Sequence, residues 1–258
     1  ITESDEDNNE ETEDIAVSYP PILLLDDDNS GNNGGSRTET DSYYANALDN
    51  LTNPIAYDIV RVNSSADAPG IDVLSEYQMI IWVCGTDYQS GDTDVTFTDN
   101  DKSNVAEYLE DGGAMWVIGM DILYDFDTSD GDRSAGDFEH DYLGVSYADN
   151  DRATPAVVYG VDDDPISDGI EYDADAISSD FADDINPRTG FEKVLSSNGD
   201  YNISTIRTED EFKLVFMTID FSSITSSDDR DEFMENVVEY LVEQLENDVS
   251  LSRFNTPK

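Results

Sequence analysis

Three kinds of side chain in this sequence could carry chemistry. The first is a thiol: Cys84, the only cysteine, closes the apolar run Met79-Ile80-Ile81-Trp82-Val83 and is followed by Gly85. A thiolate beside a general base is a nucleophile, whereas a thiol at the end of such a run is a small buried hydrophobe. The second is an imidazole: His140, the only histidine, sits in Asp137-Phe138-Glu139-His140-Asp141-Tyr142-Leu143. Its flanking carboxylates favour the imidazolium, which suits a surface cation better than a neutral base. The third is the carboxylate. Asp26-Asp27-Asp28-Asn29-Ser30-Gly31 places oxygens at alternating positions, as a hard divalent ion such as calcium requires. Asp26 and Asp28 are therefore the candidate metal ligands, with Asp87 or Asp121 to complete the set. Arg37 stands where an EF-hand loop would have its closing acid, so the run is not an EF-hand. Asp121 is the best-placed single carboxylate, since it follows an apolar strand and a glycine at the edge where open α/β sheets hold ligands. A pair of acids could run hydrolysis, but with 61 Asp+Glu available any pair chosen by eye carries almost no information.

Those 61 acids stand against 12 Lys+Arg, a formal net charge of −49 over 258 residues. A surface this negative repels phosphate, which excludes a general nucleic-acid binder and a binder of anionic membranes. Molar salt shortens the screening length to about 3 Å and makes the same surface harmless. The acids are spread over every segment, and the balance resembles that of haloarchaeal proteins. With 38% hydrophobic and 10% aromatic residues the chain still has the material for a core. No apolar run is long enough to span a bilayer. One Cys and one His cannot build a zinc site, and neither standard glycine-rich phosphate loop is present. Asn50, Asn63 and Asn202 head Asn-x-Ser/Thr sequons and are glycosylation candidates.

The elements that must position these groups follow from periodicity. Residues 1–19 read as an acidic solvated leader and 249–258 as a tail, around a single domain over 20–248. Ile22 to Leu25, Tyr57 to Val62, Met79 to Gly85 and Ala114 to Gly119 read as strands. Between them, Asp41 to Leu48 is a helix capped by Asp41 or Ser42, and Ile71 to Leu74 is a short helix or turn. A further helix capped by Asp99 runs through Val105, Tyr108 and Leu109 and stops at Asp111-Gly112-Gly113. Such alternation is the signature of a largely parallel α/β sheet flanked by helices. In the C-terminal half, Val157 to Val161, Tyr201 to Ile206 and Phe212 to Ile219 read as extra strands. Asp229 to Leu245 reads as an amphipathic closing helix.

Several of these landmarks occur in an order that resembles the class I glutamine amidotransferase-like superfamily, and within it the trehalose-utilisation-type proteins. They are Leu23-Leu24-Leu25-Asp26-Asp27-Asp28, the helix from Tyr44 to Leu48, Leu74 to Trp82, Tyr108-Leu109-Glu110-Asp111-Gly112-Gly113, and Asp164-Pro165-Ile166-Ser167-Asp168-Gly169-Ile170. The resemblance implies a flavodoxin-like or amidotransferase-like fold with a nucleophilic Cys at the sharp turn after the strand ending at Gly119. It also implies a histidine after the strand ending near Ile219. Here Gly119 or Met120 occupies the turn, and Thr218-Ile219-Asp220-Phe221 has no histidine. A thioether cannot replace a thiolate.

The expectation is thus a halophilic structural or recognition module without a catalytic centre. The acidic leader and the start at Ile1 suggest a processed or longer protein, placed extracellularly or at the cell surface of a haloarchaeon or an associated virus particle. Its expected partners are other surface or filament proteins, or further copies of itself. The alternatives are a hydrolase or amidotransferase-like enzyme using Cys84, Asp121 or His140, and a calcium-stabilised adhesion module.

Overall fold

The fully apolar runs set the centre of the molecule. In the computed structural model, which describes residues 21–30, 39–63, 66–86, 96–153, 156–175, 181–198, 201–203, 205–208 and 212–254, each of these runs is a strand buried along its whole length. In chain order the first half contains β1 (Ile22–Asp26), α1 (Asp41–Asp49), β2 (Tyr57–Arg61), α2 (Ile71–Leu74), β3 (Met79–Gly85), α3 (Asp99–Glu110) and β4 (Ala114–Gly119). Next come α4 (Ile122–Phe126), β5 (Gly131–Asp132), α5 (Phe138–Asp141), β6 (Val145–Ala153), β7 (Val157–Gly160), β8 (Glu171–Asp173) and β9 (Ala182–Pro187). The chain then forms β10 (Phe191–Lys193), β11 (Leu195–Ser197), β12 (Thr205–Thr208), β13 (Lys213–Met217) and α6 (Ser227–Phe254).

The main sheet has the order β10-β12-β13-β4-β3-β1-β2. From β13 to β2 it is parallel, and β12 and β10 add an antiparallel margin. The chain goes from β1 outward to β2, then returns across β1 to β3. The winding therefore reverses between β1 and β3, and the C-terminal ends of those two strands flank the switch point. Two small antiparallel sheets, β11-β7-β8 and β5-β6-β9, carry most of the remaining C-terminal half.

Alternation along the strands feeds two cores. Leu24, Ile81, Trp116 and Val215 face α1 and α6, while Leu25, Trp82, Val117 and Phe216 face α2 and α3. Tyr44, Ala47 and Leu48 are the buried stripe of α1, and Val105, Tyr108 and Leu109 that of α3. α6 contributes Phe233, whose ring meets Trp116 edge-on at 5.7 Å and Tyr172 at 6.5 Å.

Several expectations are corrected. α3 is capped by Thr98 rather than Asp99: Thr98 Oγ1 accepts from the Asp101 amide while Asp101 accepts from the Thr98 amide, a reciprocal box. α1 begins after Thr40, whose hydroxyl donates to Asp28 and makes no cap. The strand expected from Tyr201 to Ile206 is an isolated bridge at Tyr201 followed by β12. α6 continues through Phe254, beyond position 248. β6 and β9 are not announced by the sequence, because Asp149, Asp151, Asp183 and Asp184 interrupt their apolar alternation. The leader 1–19 lies outside the described residues.

Phe233 is fully buried and joins α6 to the centre of the sheet. Phe233→Ala is expected to lower stability by about 3–5 kcal/mol, read as an earlier midpoint in denaturant unfolding at constant salt.

Candidate functional site

The C-terminal edge of the parallel sheet gathers buried acids from elements far apart in sequence. Asp26, Asp27 and Asp28 leave β1, Asp41 opens α1, Asp121 follows β4 and Asp220 follows β13; each is buried. The strands arrive there because they are parallel, so all their C-terminal ends share one edge.

Backbone hydrogen bonds tie the strand ends together on both sides of β3. Asp27 donates its amide to the Val83 carbonyl at 2.8 Å, and Met120 donates to the Gly85 carbonyl at 3.0 Å. Gly85 has φ +67, and a Cβ there would lie 2.6 Å from the Asp28 Cβ, so only glycine lets β3 pass the β1 loop. Gly119 is equally confined, since its Cβ would fall 2.6 Å from the Cys84 Cβ.

Each acid of the β1 loop has protein donors. Asp28 Oδ1 accepts from the Ser30 amide at 2.9 Å, and its Oδ2 accepts from the amide and hydroxyl of Thr40 at 2.9 and 3.1 Å. Arg61, at the end of β2, reaches Asp26 at 3.4 Å and also pairs with Asp41. Asp27 accepts from Trp82 Nε1 at 3.1 Å. Burial drives the Asp27 carboxyl well above its ordinary range, and Asp101, Asp26 and Asp28 push the same way against the Trp82 hydrogen bond. Asp220 is likewise raised by burial, despite hydrogen bonds from Ser222 and from the Tyr44 hydroxyl at 2.9 Å. The Tyr44 phenol is pushed up by burial and by Asp220.

The candidate metal ligands Asp26 and Asp28 do come together, and a third acid, Glu39, joins them with oxygens within 4.8 Å of one another. Sequence spacing does not single out Glu39, which lies outside the acidic run. It accepts from the Ser30 hydroxyl, and its carboxyl is raised by partial burial and by Asp41. Calcium takes roughly six to eight oxygens, whereas this group has three carboxylates, with Arg61 as a positive charge beside it. Asp121 is not one of the three, and Asp87 lies outside the described residues.

Cys84 is fully buried in the core facing α2 and α3. His140 lies on α5 with Nδ1 2.7 Å from Asp141 Oδ1, and its carbonyl accepts from Arg188 Nε at 2.8 Å. The sharp turn after β4 falls later than either expected position. Asp121, not Gly119 or Met120, adopts the left-handed backbone (φ 61, ψ 9) and heads α4. Aspartate tolerates that region better than most side chains, so no glycine marks the turn. Of the sequon asparagines, Asn50 and Asn63 are exposed, Asn50 donating to Asp231 at 2.9 Å, while Asn202 is half-buried.

A raised carboxyl holds its proton in the folded state at pH values where the unfolded chain has lost it. Its contribution is complete below the unfolded value near 3.8 and is lost as pH rises through the folded value. Asp27→Asn keeps an acceptor for Trp82 and removes that titration. The fall in stability with rising pH above 3.8 is therefore expected to be shallower, by about 1.4 kcal/mol for each pH unit over which Asp27 alone bears the difference. Denaturant unfolding of both proteins across that pH range checks it, and the variant should be no less stable at neutral pH.

No protein-family model matches the chain, and no curated protein matches it by sequence. Solved structures do share its fold. A β-galactosidase from Rahnella sp. R3 aligns at 12% identity and TM-score 0.53, over 87% of this chain and 31% of its own. A candidate GMP synthase component from Thermoplasma acidophilum aligns at 12% identity and TM-score 0.51, over 88% of this chain and 98% of its own. A ThuA-like protein from Bacteroides uniformis aligns at 13% identity and TM-score 0.49, over 87% and 91%. The chain thus spans about a third of the β-galactosidase it matches. At such identities the likeness is one of fold alone: an α/β domain with a five-stranded parallel centre.

Proposed function

We propose that this chain is a non-catalytic structural or recognition module of a halophilic extracellular or cell-surface protein. The observation that carries this reading is the turn after β4. Gly119-Met120-Asp121 stands where the resemblance puts a thiol, while the chain's own thiol is buried in the core. Asp220, tied to Tyr44 and Ser222, stands where a histidine would follow β13. The β-galactosidase alignment supports a modular role, since there the same fold makes up about a third of a longer chain.

One feature favours a second reading, a hydrolase with a carboxylate at the turn. Asp121 is a buried acid in a left-handed conformation at the C-terminal edge, a position where strain accompanies function in other folds. The two readings separate in one experiment. In about 2 M KCl, where screening is strong, the chain is expected to release no ammonia from glutamine and no nitrophenol from nitrophenyl glycosides above the Asp121→Asn background. Turnover that disappears in a folded Asp121→Asn variant would establish the hydrolase.

The halophilic part rests on the charge of −49. The melting temperature should climb steadily as KCl rises from about 0.1 to about 2 M. In the same high-salt buffer we expect a chelator to leave it unchanged, because Arg61 and the loop's own donors already serve Asp26 and Asp28. A chelator-induced drop would favour the calcium-stabilised adhesion module instead.

A further inference from the structure

We propose that β2 is a self-association edge, at which two copies of this chain pair antiparallel about a two-fold axis through Ile59. The inference goes beyond the reading above and holds whether or not the C-terminal edge of the sheet is catalytic.

Among the described residues, β2 has a strand neighbour on one side only, β1. Which backbone groups it leaves open follows from one hydrogen bond. Val62 donates its amide to the Asp26 carbonyl at 2.8 Å, so the N–H of residue 62 points at β1. Backbone groups alternate sides along a strand, so Val60 also bonds inward, while Tyr57, Ile59 and Arg61 turn their N–H and C=O groups outward. Ile59 is at the same time one of two large apolar side chains exposed among the described residues, at 38%. The other, Tyr43 on α1, lies under the Arg230 guanidinium at 4.9 Å.

This edge is complementary to itself. With Ile59 opposite its own copy, Tyr57 falls opposite Arg61 and Arg61 opposite Tyr57. All of these residues carry outward-facing backbone groups, so the pairs are hydrogen-bonded ones, with about six N–H···O bonds in all. On the α1 face the two Ile59 side chains meet, flanked by a tyrosine and an arginine from each copy, an arrangement that suits cation–π contact. On the other face Asp58 falls opposite Val60, so no carboxylate lies directly opposite another. In a chain of net charge −49, Tyr-Asp-Ile-Val-Arg is neutral overall. The acid of β2 and two of α1 are already engaged: Asp58 accepts from Tyr77, Asp49 from Tyr57, and Asp41 pairs with Arg61. The two Asp58 side chains would sit diagonally across the axis, and the bulk charge of the two copies repels. Salt is therefore required for the pairing. The opposite margin, β10, has only three residues and places Glu192 at its centre.

Sedimentation equilibrium of the full chain tests the proposal. At about 1 M KCl and above, where the screening length is about 3 Å, a monomer–dimer equilibrium is expected that shifts to monomer as salt is lowered. A two-fold edge pairing closes at the dimer, so larger closed assemblies, or a strict monomer at high salt and high concentration, would overturn it. Ile59→Pro removes an outward N–H without touching a bond to β1, as an edge strand tolerates. It should raise the dimer Kd by about tenfold or more at an unchanged circular dichroism spectrum. An unchanged Kd sinks the proposal. If the proline variant fails to fold, Ile59→Lys serves in its place. Hydrogen exchange of the unmodified protein gives an independent readout. Protection of the Ile59 amide should rise with protein concentration, and concentration-independent exchange there refutes the pairing.

Discussion

Strands β3 and β4 are buried on both faces along their whole length, and the rest of the structure follows from that constraint. A parallel pair with no wet face must be covered from both sides, so the connections have to place helices on both faces. α1 and α6 cover one face, where Trp116 packs against Tyr44, Phe221 and Phe233. α2 and α3 cover the other, where Trp82 stacks on Phe97 at 4.5 Å. The reversal of winding between β1 and β3 is the geometric consequence, and it collects the strand ends that carry the acids.

At that edge the chain manages an unusual electrostatic load. Carboxylates held away from water need donors, and few basic residues are available to supply them. Backbone amides and hydroxyls do most of the work: Ser30 and Thr40 serve Asp28, Trp82 serves Asp27, and Tyr44 and Ser222 serve Asp220. Arg61 bridges Asp26 and Asp41. Neutral donors leave the acids' mutual repulsion in place, which is why burial and neighbouring acids together raise Asp27 and Asp220. The exposed Asp67 behaves oppositely: held by Thr98 and Asn100, it is lowered by those hydrogen bonds. The same side chain is therefore shifted in opposite directions at Asp27 and Asp67, according to where the fold puts it.

Much of the central sheet was legible because fully apolar runs bounded by turns have one interpretation. β3 and β4 begin and end where Met79 to Gly85 and Ala114 to Gly119 predict. The caps were harder. Thr98 and Asp99 are both good capping residues, and the choice was made by Asp101, which closes a box with Thr98 and also accepts from the Ala68 amide. The site was less legible still. Glu39 meets Asp28 from outside the acidic run, and Tyr44 meets Asp220 across 176 positions of sequence.

What the sequence determined by itself was the period of the central strands and of the longer helices, the load of negative charge, and the scarcity of thiol and imidazole, because these are properties of residue type and spacing. Tertiary structure alone decided which few of the 61 acids are buried together, since that depends on which strand ends share an edge. It also decided that the turn after β4 pivots on Asp121, a residue whose backbone region composition does not announce. And it decided which way Ile59 presents its amide: the strand has two sides, and only its hydrogen bonds to β1 show which one faces away from that neighbour.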